Sequence, residues 1–131
     1  MSDPDLPEDI GHLLFKHAAD LAFNAITVTR ATDDSGGSEV IYVNDAFTDM
    51  TGYSADEVIG KTPGMLQGPD TEQDVLDRLD DKMSAGETFH GQTVNYRKDG
   101  TPFDIEWTVR PIQDNGETTH YVAVQRDVTD R

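Results

Sequence analysis

The sequence predicts an α+β fold in which one antiparallel sheet of five strands carries a helical segment across one face. Strand-like patterns fall into two groups, two before and three after a central stretch, residues 43–71. The three late strands are joined by the hairpin signals Asp99-Gly100 and Asp114-Asn115-Gly116. The central stretch is rich in helix caps and turn residues but has no sustained apolar periodicity. Its very short helices cannot build a core alone, so they need a sheet to lie across.

The N-terminal part contains a linker and one amphipathic helix, together residues 1–22. Residues 1–7 read as linker, and a helix is predicted from Glu8 to about Leu21 because apolar residues follow helical spacing. The members of this stripe are Ile10, Leu13, Leu14, His17, Ala18 and Leu21. Residues 24–32 and 39–43 then read as two strands of a hairpin, joined by a turn over residues 33–38.

The central stretch predicts several short helices in succession. Asn44 or Asp45 caps the first, and Gly52 ends it. Ser54 and Glu57 have the spacing of a capping box for the second. Further turn residues over 60–69 break the chain again, so this stretch is expected to form one wall of a pocket.

A longer helix follows, with Thr71 as its predicted cap and residues 72–85 as its body. Its predicted buried stripe consists of Val75, Leu76, Leu79 and Met83. The last three strands are predicted at residues 88–98, 101–113 and 118–129.

Alternation along these last strands divides their side chains between two faces of the sheet. The face under the helices is expected to carry Thr93, Asn95, Phe103, Ile105, Trp107, Tyr121, Ala123 and Gln125. The opposite face carries Val94, Tyr96, Val122 and Val124, and is too apolar to remain bare. The N-terminal helix, alone or together with a second subunit, is the expected cover.

Composition excludes several classes of function. A chain of 131 residues predicts a single domain, and 26 acidic against 10 basic side chains give a net charge of −16. Such a charge argues against nucleic-acid binding and is typical of surfaces adapted to high salt. The chain has no cysteine, and its four histidines are scattered, so no metal site is expected. No apolar run reaches the length of a membrane span, which predicts a cytoplasmic segment that does not insert into a bilayer.

Catalysis also has little support in the sequence. It contains no G-x-S-x-G, no H-E-x-x-H and no P-loop, and none of its histidines stands beside a nucleophile. The domain is therefore not expected to be an enzyme, and no catalytic residue is assigned.

Four ordered motifs resemble the PAS family, and within it the LOV (flavin photoreceptor) branch. They are YVNDAFTDMTGYSADEVIGK, MLQGPDT, NYRKDGTPF and VAVQRDVTDR, and together the resemblance covers residues 25–131. It implies a PAS sensor domain over residues 23–131, with the five-stranded sheet and helical wrap described above. It also implies a covalently linked output domain, such as a histidine kinase.

The resemblance further implies a pocket for a planar ligand. Gln67, Asn95 and Gln125 stand where LOV proteins have amide side chains that contact the flavin ring. Buried amides offer donors and acceptors to a heteroaromatic edge. The predicted ligand-contacting set contains these three amides and seven further residues, which are Thr93, Phe103, Ile105, Trp107, Tyr121, Ala123 and Met65.

This sequence departs from the LOV pattern at the positions that react with a flavin or clamp its phosphate. Pro63 replaces the photoactive cysteine, so no cysteinyl-flavin adduct can form. Gly64 replaces one clamping arginine, and Asp80 falls at about the position of the second. Ile105 replaces a third strand amide, and Trp107 occupies space that a three-ring flavin would need. Tight binding of a flavin phosphate is therefore not expected, whereas a neutral flavin or a smaller planar heterocycle stays open.

Several of these residues have a purely structural alternative. Gln67 could cap its turn, Asn95 and Gln125 could pair with each other or with water, and Trp107 could be a core residue. The function that the sequence favours is a sensory PAS domain that binds a small aromatic or heteroaromatic ligand. The alternatives are a ligand-free dimerisation module, built from the N-terminal helix and the outer sheet face, and a cysteine-less flavin sensor of light or redox state.

Overall fold

A single five-stranded antiparallel sheet organises the domain. The computed structural model describes residues 22–31 and 38–130, so the predicted N-terminal helix and most of the first predicted turn lie outside the described residues. The strands are β1 (Ala25–Ala31), β2 (Ser38–Val43), β3 (Phe89–Tyr96), β4 (Pro102–Asp114) and β5 (Glu117–Asp127). Their order in the sheet is β2-β1-β5-β4-β3, so the predicted α+β fold is confirmed. This order places the first and last strands side by side at the centre.

Both late hairpins form where the turn chemistry predicts them. Gly100 has a φ of 89°, while Asn115 and Gly116 have φ values of 53° and 80°. A positive φ at two consecutive positions is the requirement of a type I′ turn, and asparagine followed by glycine meets it at little steric cost. The two turns set the register that pairs β3 with β4 and β4 with β5.

The first wrapping helix, α1 (Asp45–Thr51), is tied to the sheet through its cap. Asn44 is 1% exposed, and its Oδ1 accepts hydrogen bonds from the backbone N–H of Phe47 and of Ile26 on β1, at 3.1 and 2.8 Å. Its Nδ2 donates to the carbonyl of Asn24 at 3.0 Å. Between the two predicted candidates, Asn44 is thus the cap, and it also fixes the angle between helix and sheet.

The second wrapping helix, α2 (Ala55–Val58), has the predicted capping box. The Ser54 hydroxyl accepts from the N–H of Glu57, whose carboxylate accepts from the N–H of Ser54. A 3-10 turn follows at Pro63–Leu66. These elements cover one face of the sheet, as predicted.

The long helix, α3 (Gln73–Ser84), begins differently from the prediction. Thr71 does not cap it, because its hydroxyl donates to the carbonyl of Val94 at 2.6 Å and accepts from the N–H of Gly68. The N–H of Glu72 instead donates to the hydroxyl of Thr93 at 2.9 Å. A side chain of β3 therefore satisfies the start of this helix, and that long-range contact has no signal in the local sequence.

The predicted buried stripe of α3 is only partly buried. Val75 is buried, while Leu76, Leu79 and Met83 are half-buried. The start of the helix packs closely on the sheet beside Phe89. Farther along, Leu79 and Met83 line a space between the helix and the sheet.

The end of β5 is held by a cluster of charged side chains, and this cluster is expected to make the stability of the fold depend on pH. Asp127 accepts from Arg97 at 2.7 Å and from the Thr129 hydroxyl, while Arg97 also donates to the Met50 carbonyl. Partial burial acts to raise the pKa of Asp127, but the bonds from Thr129 and Arg97 outweigh it and hold the pKa below the usual 3.8. A lowered pKa in the folded state stabilises the fold above 3.8, and this contribution is lost as the pH falls through the folded-state value.

Asp127→Asn is therefore expected to be less stable than the wild type at neutral pH and to lose less stability on acidification. Urea unfolding midpoints, measured from neutral pH to below 3.8, test this expectation. Arg97→Gln should weaken the same acid dependence. Parallel stability curves for wild type and Asp127→Asn would contradict the assignment.

Candidate functional site

A cavity of about 430 Å³ lies between the sheet and α3. Its size is within the range of about 300–1,000 Å³ that is usual for small-molecule sites. The sheet contributes residues of β1, β5 and β4 together with Ser38 of β2, and the helical side contributes α3 and Pro63. The lining residues are Thr27, Thr29, Ser38, Pro63, Leu79, Asp80, Met83, Ser84, Trp107, Val109, Tyr121, Ala123 and Gln125.

The floor of the cavity is made by neighbouring positions of three central strands. Ala123 pairs with Thr27 on one side and with Val109 on the other. Since side chains alternate between the faces of a strand, these three point to the same face. The small Ala123 side chain leaves space at the centre of this row, so the cavity exists partly because position 123 is an alanine.

Gln125 is the polar group of the sheet whose orientation the structure defines best. The hydroxyl of Thr27 donates to Gln125 Oε1 at 2.9 Å, and both residues are buried. This bond uses one lone pair of the amide oxygen, and the amide NH₂ is the donor that Gln125 can offer to a ligand. A ligand acceptor, such as a ring carbonyl or ring nitrogen, matches that donor.

Trp107 is both a core residue and a cavity wall. Its ring packs against Phe89 with the centroids 5.0 Å apart and the planes tilted by 55°, and its exposed fraction is 9%. The indole borders the cavity without filling it. Its fixed position makes it a flat apolar surface for a planar ligand.

Of the ten residues predicted to contact a ligand, four line this cavity. They are Trp107, Tyr121, Ala123 and Gln125. The other six lie outside its lining, and their contact with a ligand remains a prediction.

Each of those six has a defined position elsewhere. Phe103 and Ile105 are buried in a core cluster with Phe89 and Trp107. The half-buried Met65 packs against a second buried cluster, which contains Phe47 and Leu66. Thr93 accepts from the N–H of Glu72. Asn95 is half-buried on the edge strand β3, and Gln67 is exposed at the end of the 3-10 turn.

Sequence reasoning missed the contributions of β1, β2 and the last turns of α3. Thr27 and Thr29 alternate along the first strand, and this alternation was visible in the sequence. Without the order of the strands, nothing showed that β1 lies next to β5. Leu79 and Met83, which the sequence predicts in the buried stripe, are half-buried: they pack against the core and also border the cavity.

The charges at the cavity do not fit a flavin phosphate. Asp80 is the one residue of the described lining with a formal charge at neutral pH, and none of the described lining residues is Lys, Arg or His. Arg78 does not line the cavity and is engaged elsewhere. Its guanidinium donates to the His90 carbonyl at 2.9 Å and lies 5.0 Å from the centre of the Phe89 ring, so it does not serve as a clamp for a phosphate. The cavity fits an uncharged ring, but its donor set does not fit a phosphate.

Pro63 also borders the cavity, and proline has no nucleophilic side chain. The resemblance to LOV proteins predicts that Pro63 stands at the position of their photoactive cysteine and Asp80 at about that of a phosphate-clamping arginine. Both residues line the same cavity.

Comparison with known proteins places this chain in a family. The PAS domain family matches residues 24–130. The bacterioopsin transcriptional activator of Halobacterium salinarum is 40% identical over 131 residues, which cover 97% of this chain and 19% of that protein. The chain spans between 10% and 43% of the length of the first curated relatives that it matches. A halobacterial relative agrees with the interpretation of the acidic surface as an adaptation to salt.

Solved structures give the same result. An RNA-binding light-oxygen-voltage receptor superposes with a TM-score of 0.85 at 28% identity, covering 98% of this chain and 36% of that one. The LOV domain of the blue-light activated histidine kinase of Erythrobacter litoralis EL346 superposes with a TM-score of 0.75 at 33% identity, covering 84% of this chain and 99% of that one. The chain therefore belongs to the PAS domain family, the sensory domains of signalling proteins, and it resembles the LOV branch of that family.

Proposed function

We propose that this chain is the sensory domain of a larger cytoplasmic signalling protein and that it binds a small planar heteroaromatic molecule in the cavity between sheet and α3. The observation that carries this proposal is the cavity itself, with Trp107 as a flat wall and the NH₂ of Gln125 as a donor. Mostly apolar walls with a few oriented polar groups are typical of small-molecule sites. A flavin without a phosphate and smaller heterocycles both belong to the proposed ligand class.

The position of the cavity supports a regulatory role. Tyr121, Ala123 and Gln125 of β5 line it, and β5 ends two residues later at Asp127. A ligand that contacts both α3 and β5 can favour one packing of these elements over another. To signal, the ligand must bind the two arrangements with different affinity. The output module that we propose to follow β5, such as a histidine kinase, would respond to that difference.

Ligand binding can be tested with the fluorescence of Trp107, the single tryptophan of the chain. The protein is titrated in molar KCl with riboflavin, which has three fused rings, and with lumazine, which has two. Saturable quenching with one-to-one stoichiometry by either compound is expected. The absence of any saturable change with both compounds would contradict the proposed function.

A second proposal concerns the face of the sheet opposite the cavity. Val28 pairs with Val122 on this face, and Val124 and Ile112 are 40% and 42% exposed. Exposed apolar side chains in one area of a chain with a net charge of −16 favour an interface. We propose that this face and the N-terminal segment, residues 1–22, form a homodimer.

Deletion of residues 1–22 is expected to convert a dimer into a monomer in molar salt, because the deletion removes one of the two surfaces of the proposed contact. Light scattering coupled to gel filtration measures the mass of both proteins. A shortened protein that keeps the full dimeric mass would overturn the role of the N-terminal segment. A full-length monomer would overturn the dimer.

A further inference from the structure

Asp80 is the charged side chain among the described residues that line the cavity. Asp80 lies on α3 one turn before Ser84, and both residues line the cavity, as do Leu79 and Met83. Asp80 and Ser84 are exposed, whereas Leu79 and Met83 are half-buried. The helix therefore presents an apolar pair toward the interior and a polar pair toward the solvent side, which defines the polar pair as the mouth of the cavity.

The mouth offers groups that suit hydroxyls and cations but not anions. Ser84 at the mouth, and Ser38 of β2 in the same lining, supply hydroxyls that can donate or accept. The Asp80 carboxylate can only accept. An anionic substituent placed here meets a like charge without a cation among the described lining residues. A hydroxyl chain or an amine placed here finds acceptors.

We propose that Asp80 is a specificity-determining residue, which makes the cavity select uncharged or cationic heteroaromatic ligands over their phosphorylated counterparts. This inference rests on the proposed function, since it assigns the ligand class of the same cavity. The net charge of −16 cannot provide the same selection at a distance, because ions in about 1 M salt screen charges beyond roughly 3 Å. Only a carboxylate in direct contact with the ligand discriminates under these conditions.

Riboflavin and flavin mononucleotide form a matched pair of probes, because they share the ring and the ribityl chain and differ by one phosphate. Titration in molar KCl, followed by Trp107 fluorescence and by the polarisation of flavin emission, gives a Kd for each compound. The wild type is expected to bind riboflavin about two- to fivefold more tightly than flavin mononucleotide, because the phosphate and the carboxylate repel each other at contact and salt screens part of this repulsion.

Three variants separate the local charge from other effects. Asp80→Asn keeps the size of the side chain and should make the two Kd values equal, because it removes the repelling charge. Asp80→Arg should reverse the preference, since a guanidinium binds phosphate. Asp81→Arg is the matched control: it makes the same change of net charge on the same helix at an exposed residue outside the cavity lining, and it should keep the wild-type preference.

The outcomes separate this inference from the function on which it rests. Equal Kd values for the two flavins in the wild type, or an unchanged preference in Asp80→Arg, would overturn the charge selection while ligand binding stands. If neither flavin binds to any variant but lumazine binds, the selection is overturned for flavins and the sensory function remains. If lumazine also fails to bind, both proposals are wrong.

Discussion

Replacing Asn44 with alanine is expected to lower the free energy of unfolding by about 3–5 kcal/mol, since a lost cap and newly unpaired buried N–H and C=O groups contribute together. The side chain is 1% exposed and bonds to three backbone groups, on Phe47, Ile26 and Asn24. Alanine leaves the N–H of Ile26 facing the place of the lost acceptor. Because domains of this size are stable by only about 5–15 kcal/mol, the effect is a large part of the total.

Denaturant unfolding in molar KCl measures this effect. Ser54→Ala is the matched control, because Ser54 caps a short helix at an exposed position and its loss should cost about 0.5–1 kcal/mol. Asn44→Asp keeps the acceptor for Phe47 and Ile26 but loses the donor to Asn24, so its stability should lie between the wild type and Asn44→Ala. If Asn44→Ala is no more destabilising than Ser54→Ala, the cap does not join α1 to the sheet in the way described.

Replacing Ala123 with phenylalanine is expected to weaken ligand binding by at least about tenfold while the protein remains folded, because the ring would occupy the cavity floor. Ala123 is half-buried between Thr27 and Val109, and its side chain points into open space. Filling an existing cavity avoids much of the overpacking that the same substitution would cause in a dense core. Riboflavin and lumazine titrations give the loss of affinity, and urea unfolding confirms that the fold persists.

The neighbouring residue provides the control for this substitution. Val124 lies on the opposite face of β5 and is 40% exposed, so Val124→Phe adds an aromatic ring one position along the same strand. It should leave ligand affinity unchanged. Equal loss of affinity in Ala123→Phe and Val124→Phe would show that the ligand does not occupy this cavity.

The sequence predicted those parts of the fold that depend on local chemistry. The Ser54 cap and the Asn115-Gly116 hairpin turn act within a few residues of themselves, so their patterns were sufficient. The sequence left the cap of α1 open between Asn44 and Asp45, and the structure shows that it is Asn44. The cap of α3 was predicted wrongly as Thr71: the N-cap residue is Glu72, and its N–H donates to Thr93 of a distant strand. A contact of that kind depends on tertiary packing, which a local pattern does not contain.

The candidate site divides in the same way. Trp107, Tyr121, Ala123 and Gln125 were predicted from alternation along β4 and β5, and they line the cavity. Asn95 was predicted both from alternation and from the LOV resemblance, and it lies outside the cavity lining because β3 is an edge strand, separated from β5 by β4. Gln67 was predicted from the resemblance alone, and it lies exposed at the end of the 3-10 turn. Thr27 and Thr29 were missed because their role depends on the pairing of β1 with β5.

Identifying the compound that the purified protein carries shows whether the cavity holds a small planar heteroaromatic ligand. The wild type and Ala123→Phe are purified in molar salt, their absorbance spectra are recorded, and the compounds released by denaturation are identified by mass spectrometry. We expect the wild type to release one heteroaromatic compound without a phosphate, in up to equimolar amount, and Ala123→Phe to release little of it. Equal release from both proteins would show that the compound does not occupy this cavity. Release of a flavin phosphate from the wild type would show that the cavity does not exclude phosphorylated ligands.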